Sequence, residues 1–210
     1  MDKFFQVYNK LDKHFGFQNW WPVISDNPKL EISIGAILTQ NTSWLNVEKC
    51  IKALNDKNLL DREKLKSLKD EELALLIRSS GYNNQKAKKI KLFLNFSREI
   101  TRENLLSIWG IGKETADSIL LYAYNQPNFV IDAYTKRIFS RLGLIKEDLD
   151  YDEIKSLFEN NLEKDVKLYK QYHALIVEHA KRYCRKKPLC KLCPLSNDCS
   201  YFKDSSLTLY

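Results

Sequence analysis

The sequence predicts an all-α fold, and three observations carry that expectation. Apolar residues recur at helical spacing along most of the chain, as in Phe4, Phe5, Tyr8, Leu11 and Phe15. Glycine and proline are scarce, 6 and 5 in 210 residues, while Leu, Ile, Lys and Glu are abundant. No segment of any length alternates apolar and polar residues as a half-buried strand does.

A first helix is expected over residues 2–15. The stretch 16–29 is irregular and contains Gln18-Asn19-Trp20-Trp21-Pro22. Adjacent tryptophans before a proline suit neither a helix interior nor a solvated loop, and alone they read as a plug against the core. Residues 31–40 form a helix that is apolar nearly all round and therefore central. It ends at Asn41-Thr42, and Ser43 is placed to cap a helix starting at Trp44. Cys50, alone in that helix, reads as a small buried hydrophobe. Short amphipathic helices follow at 61–67 and 70–78, the second capped by Asp70. After a turn at Ser80–Asn84, a helix over 85–100 displays Lys86, Lys88, Lys89 and Lys91. Thr101 caps the next helix, and residues 114–124 are apolar and helical until Pro127 breaks the pattern. Val130-Ile131-Asp132 leads into a helix reaching Leu142-Gly143, and helices at 151–162 and 166–182 complete roughly ten. Two domains are expected, one over 26–125 and a discontinuous one from 1–25 and 126–210.

With 44% hydrophobic and 29% charged residues, the chain has the composition of a folded globular protein. Its net charge of +7 and isoelectric point near 9.0 favour a polyanionic partner. No window reaches the 18 apolar residues of a membrane span. The N-terminus has charges inside its apolar pattern and no cleavage site, so it is not read as a signal peptide and a cytoplasmic location is expected.

Two stretches carry chemistry. Leu105-Leu106-Ser107-Ile108-Trp109-Gly110-Ile111-Gly112-Lys113-Glu114-Thr115-Ala116 ends an apolar run, turns on Gly-x-Gly and restarts a helix. Such a turn presents backbone N–H groups beside a helix N-terminus, where the dipole favours an anion, and Lys113 adds a cation. Gly-x-Gly would equally serve a plain helical turn. The second stretch is Cys184-x5-Cys190-x2-Cys193-x5-Cys199, which follows a helix directly. Four thiolates within so short a loop can converge on one centre, and both zinc and a [4Fe–4S] cluster accept four cysteines. Arg182, Arg185, Lys186, Lys187 and Lys191 crowd this loop with few opposing acids, which suits phosphate contact or a solvated basic face. His173 and His179, on the preceding helix, read as packing or phosphate-contact residues.

The hairpin, the Val130-Ile131-Asp132 segment and the cysteine loop, in this order, resemble the endonuclease III superfamily of helix-hairpin-helix DNA glycosylases over most of the chain, Ile34 to Cys199. The resemblance implies a two-domain fold, a six-helix barrel with a second helical domain that carries the cluster loop. It also implies a [4Fe–4S] cluster on Cys184, Cys190, Cys193 and Cys199, with zinc on the same four cysteines as the lesser option. Phosphate contacts would come from Gly110, Gly112, Lys113 and Thr115 and from Arg185, Lys186 and Lys187. Asp132, which alone reads as a helix N-cap, stands at the family's catalytic aspartate. Gln40 matches a position from which a polar side chain fills the gap left by a flipped base. The first cysteine gap is five residues where endonuclease III usually has six. Bifunctional members carry a lysine where this chain has Glu114, and a carboxylate cannot form the Schiff base that cleaves the strand. Lys113 is no easy substitute, since one helical step turns a side chain by about 100°.

Trp20-Trp21-Pro22, Gly35–Thr42, Gly81–Lys88 and Gly110–Glu114 together look like the 3-methyladenine DNA glycosylase III branch. That likeness implies Trp20 and Trp44 as a stacking pair for the base, with Trp21 and Pro22 shaping the wall. The expected protein is a monomeric, monofunctional glycosylase that acts on damaged double-stranded DNA and excises alkylated purines, 3-methyladenine first. Three alternatives remain open, one of them a zinc-stapled structural module. The others are an endonuclease III-like enzyme for oxidised pyrimidines or T/G mismatches and a non-catalytic iron–sulfur DNA-binding protein.

Overall fold

The protein is described here by a computed structural model covering residues 3–207, the side chains of 205–207 excepted. Asp2, placed in the expected first helix, and residues 1 and 208–210, placed in the expected outer domain, lie outside the described residues. Among the described residues there are twelve α-helices and no strand. They are α1 Lys3–Phe15, α2 Pro28–Leu38, α3 Trp44–Asp56, α4 Arg62–Ser67, α5 Asp70–Leu76, α6 Asn83–Asn95, α7 Arg102–Leu106, α8 Lys113–Ser118, α9 Ala133–Arg141, α10 Tyr151–Asn161, α11 Val166–Arg182 and α12 Ser200–Leu207. None of these helices is long and apolar enough to cross a membrane.

The chain divides into two compact units, Met1–Trp20 with Pro127–Tyr210, and Trp21–Gln126. The continuous unit is built on α2, whose residues from Leu30 to Leu38 are all buried. This helix starts at Pro28 rather than near residue 31. Asn27 accepts from the Leu30 N–H, and proline at the first helical position gives up no bond that the helix would otherwise make. Ser43 does precede α3, yet its side chain makes no capping bond. Before α5 the cap is Lys69, whose N–H is taken by the Glu72 carboxylate at 2.9 Å; Asp70 is already helical. Helix α6 stops at Asn95 because Phe96 is extended.

Of the lysines expected to be displayed on α6, Lys88 is exposed, whereas Lys86 and Lys91 are put to structural use. Lys86 is buried and its Nζ donates to the carbonyls of Leu38, at 2.8 Å, and Ser80, at 2.7 Å. Lys91 donates to the carbonyls of Lys66 and Leu68. Each thereby satisfies carbonyls that helix ends leave without intrahelical partners.

The discontinuous unit has an aromatic core. The Phe158 ring lies 4.3 Å from Phe129, 4.5 Å from Phe139 and 4.9 Å from Phe4, centroid to centroid. Pairs of this kind add about 1 kcal/mol each beyond their area burial. The buried Tyr172 hydroxyl donates to the Phe4 carbonyl at 2.7 Å and ties α11 to α1.

Candidate active site and nucleic-acid interface

In the continuous unit, α7 and α8 form the two legs of a hairpin. Thr101 caps α7 by accepting from the Asn104 N–H at 3.2 Å. The legs are locked by Arg102, whose Nε and Nη2 reach the fully buried Asp117 carboxylate at 2.8 and 3.3 Å. This planar, two-point pairing fixes one leg against the other. Gly110 has φ +82°, a conformation that favours glycine, and the Lys89 side chain lies where a Cβ would stand. Gly112 differs: it is extended and a Cβ would meet nothing, which leaves its backbone open to approach. Gln40 ties the turn down by donating to the Gly110 carbonyl at 3.0 Å and to the Thr115 hydroxyl at 2.9 Å, while its own carbonyl accepts from Lys89 Nζ at 2.6 Å. Thr115 is buried, so its side chain supports the turn from within. Lys113 is half-buried and Glu114 exposed in the first turn of α8. Trp109, 53% exposed, holds Lys88 Nζ over its ring at 4.8 Å.

The same unit gathers an aromatic group. Trp21 meets Trp44 edge-on, centroids 5.1 Å apart and planes at 89°, and Tyr122 at 5.3 Å. Trp21 reaches this place because Gly35 has no side chain: a Cβ would stand 3.0 Å from Trp21 Cζ2. Behind Trp21 and the exposed Pro22, the buried Glu31 carboxylate accepts from the N–H groups of Ile24 and Ser25 and pins the irregular segment to α2. Trp44 Nε1 donates to Glu48 at 2.7 Å. Nothing in the sequence singles out Tyr122. After Ser118 the backbone widens into a π-helix over Ile119–Ala123, a departure from the expected regular helix over 114–124 that shifts Tyr122 out of α-helical register. Trp20 belongs to the discontinuous unit.

In that unit Asp132 caps α9. Its Oδ1 accepts from the Thr135 N–H at 2.7 Å and the Thr135 hydroxyl at 2.8 Å, and its Oδ2 faces His173 Nε2 at 3.7 Å. Burial alone would raise the Asp132 pKa; His173 and Thr135 outweigh it and hold the carboxyl below its ordinary value. The group is therefore ionised at neutral pH, with one oxygen fixed and the other directed at an imidazole.

The far end of α9 holds the cysteine loop. Arg137 Nε donates to the Cys184 carbonyl at 2.9 Å, and Arg141 donates to the Arg185 carbonyl at 2.7 Å and the Cys184 sulfur at 3.3 Å. Arg185, Lys186 and Lys187 stand exposed beyond these anchors. Cys184, Cys190, Cys193 and Cys199 are free thiols that line one cavity together with His179 and Arg141. Among the described residues, no group of three or more His, Cys, Asp or Glu side chains is arranged so as to hold a metal ion. The donor set nonetheless fits a four-thiolate centre. Burial pushes the Cys193 thiol up to about 11, and the other three cysteines push the same way, a mutual repulsion that a cationic centre would relieve.

Comparison with known proteins decides what this assembly of parts is. The family model "HhH-GPD superfamily base excision DNA repair protein" matches residues 34–164, the stretch from α2 through the hairpin and Asp132 into the discontinuous unit. The chain belongs to the HhH-GPD superfamily. As an HhH-GPD protein it is a base excision DNA glycosylase, an enzyme that acts on DNA. It is 49% identical to "Putative DNA repair glycosylase MJ1434" of Methanocaldococcus jannaschii, over 93% of this chain and 94% of that one. It is also similar to the H. pylori 3-methyladenine DNA glycosylase MagIII, solved with 1,N6-ethenoadenine bound, with 31% identity and a TM-score of 0.76 over 86% of this chain and 98% of that one. An endonuclease III–DNA complex shares the fold, with a TM-score of 0.84 and 23% identity over 99% of this chain and 100% of that one. Sequence reasoning missed the Lys89–Gln40 link, the Arg137 and Arg141 anchors and the place of Tyr122 beside Trp21. All are contacts across dozens of residues, and only the shared arginine spacing on α9 hinted at any of them.

Proposed function

We propose that the protein is a monofunctional glycosylase that removes alkylated purines, 3-methyladenine first, from damaged double-stranded DNA in base excision repair. The observation that carries this reading is the Trp21–Trp44–Tyr122 group packed against Gly35. Methylation at N3 or N7 makes a purine cationic, which weakens its glycosidic bond and strengthens its stacking on electron-rich indole faces. A glycosylase must turn its target out of the duplex, and aromatic walls receive it, with Pro22 extending the wall. The likeness to the H. pylori 3-methyladenine glycosylase supports the same substrate class.

In this reading the open backbone at Gly112, with Gly110 and Lys113, takes a phosphate, and Thr115 and Gln40 hold the turn that does so. Arg185, Lys186 and Lys187 supply further phosphate contacts. Asp132 stabilises positive charge on the sugar and takes a proton from water as water adds to C1′. The C1′–N bond breaks, and its electron pair leaves with the base and neutralises it. Glu114 offers no amine, so the product is an intact strand with an abasic site. Cys184, Cys190, Cys193 and Cys199 would hold a [4Fe–4S] group, which when bound supplies thiolate bonds that close the loop presenting the basic residues. The enzyme acts as a monomer in the cytoplasm.

The test is to incubate the protein with methylated duplex DNA and identify every base released, with Asp132→Asn and Trp44→Ala alongside. Release of 3-methyladenine by the wild type, lost in Asp132→Asn and reduced in Trp44→Ala, is expected. Unchanged release by Trp44→Ala would remove the aromatic group from the pocket, and no methylpurine release at all would move the substrate to oxidised or mismatched pyrimidines.

A further inference from the structure

The Asp132 carboxylate is used asymmetrically. Both hydrogen bonds from Thr135 fall on Oδ1, as a helix cap requires. Oδ2, the oxygen not spent on the cap, faces a single imidazole nitrogen on another helix. We infer that His173 is the positioning residue for Asp132, holding the carboxylate oxygen that Thr135 leaves to chemistry. This rests on the assignment of Asp132 as the acting carboxylate.

Several ionisable groups near Asp132 are engaged elsewhere. On α9, Lys136 is turned to the Leu149 carbonyl and Arg137 to the Cys184 carbonyl. On α10, the Tyr151 hydroxyl accepts from the Ile131 N–H at 3.3 Å. Asp12 on α1 is engaged by Gln171, the α11 residue two before His173. Lys170, one turn before His173, is held below the ordinary lysine value by burial. His173 is buried, 9% exposed, on a helix that packs against α9. A ring confined in this way has few other orientations. At 3.7 Å the imidazole borders Oδ2 without hydrogen-bonding it, so it limits where that oxygen can turn, and misplacement by about an ångström is enough to cost on the order of a hundredfold in rate.

Two readouts test this. In protein labelled with ¹³C at aspartate carboxyls, the Asp132 signal is identified by its loss in Asp132→Asn. Its titration midpoint should rise in His173→Ala and return toward the wild-type value in His173→Gln, which keeps a donor and much of the volume. In parallel, single-turnover excision from methylated duplex DNA should fall on the order of tenfold to a hundredfold in His173→Ala, with its acid limb moved to higher pH, KM nearly unchanged and partial recovery in His173→Gln. Circular dichroism and thermal melting of each variant report the fold. An unmoved Asp132 midpoint in a folded His173→Ala or His173→Gln protein overturns the inference, whatever the substrate proves to be. An active Asp132→Asn overturns the assignment of Asp132 itself, which the carboxyl titration then separates from the fate of His173.

Discussion

Gln40 is hydrogen-bonded to Gly110: its Nε2 donates to the glycine carbonyl at 3.0 Å across 70 residues of sequence. Through the same amide it holds Thr115, and through its carbonyl it holds Lys89. Gln40→Ala should therefore loosen the hairpin as well as remove a side chain. We expect a loss of about 1 kcal/mol in denaturant unfolding, since of its partners only the Thr115 hydroxyl is buried. DNA affinity should also weaken. If Gln40 acts only on DNA, stability will be unchanged and affinity alone will fall.

Glu114 is the simplest place to change the reaction. It is exposed in the first turn of α8 and capable of substitution without disturbing the buried face of that helix. Glu114→Lys should gain a complex with DNA that borohydride traps, while the wild type leaves abasic strands uncut. Wild-type protein that nicks its product as fast as it releases base would contradict hydrolysis by water alone.

Gly35→Ala tests the aromatic group from below. The added Cβ lies 3.0 Å from Trp21 Cζ2, so the indole must shift. Overpacking of this kind costs about 1–3 kcal/mol. Excision of methylated bases should fall by more than the loss of stability explains, read as a raised KM in folded protein.

Lys86 makes a prediction about pH. Burial, aided by Lys89 and partly offset by Cys50, brings its pKa from 10.5 down to about 8. The unfolded chain therefore binds more protons than the folded one between pH 8 and 10.5, and the contribution of Lys86 to stability rises with pH across that window. Below pH 8 the cost of burying its charge is fully present. Lys86→Met should destabilise by about 3 kcal/mol at neutral pH, because the Leu38 and Ser80 carbonyls lose their donor. The gap between variant and wild type in denaturant midpoint should widen from about pH 8 to about pH 10. A constant gap would mean that folding leaves the Lys86 pKa unshifted.

These residues also show what a sequence displays and what it hides. The Gly110-Ile111-Gly112 turn, the Thr101 cap, Asp132 at the head of α9 and the four closely spaced cysteines are local patterns. Each is specified by neighbours a few residues away, and each can be read directly. Lys86 reads as displayed because its neighbours Lys88 and Lys89 make a basic run, whereas its two acceptors come from the ends of distant elements. Tyr122 escapes because a π-turn breaks the 3.6-residue period on which helical faces are reckoned. His173 is visible as a residue, but nothing along the chain announces that a side chain 41 positions after Asp132 will face its carboxylate.

Helix α9 has a cap at one end and a clasp at the other. Nine residues separate the two, a rod of about 13 Å that is too short to bend appreciably. Arg137 and Arg141 grip the start of the cysteine loop, so a loop that unravels releases the tail of the same rod whose head aims Asp132. Damage to the loop by oxidation of its thiols is then felt first as a loss of alignment. The enzyme should fall silent while its far-ultraviolet signal still looks intact, and its working lifetime will be set by the loop rather than by the melting of its core.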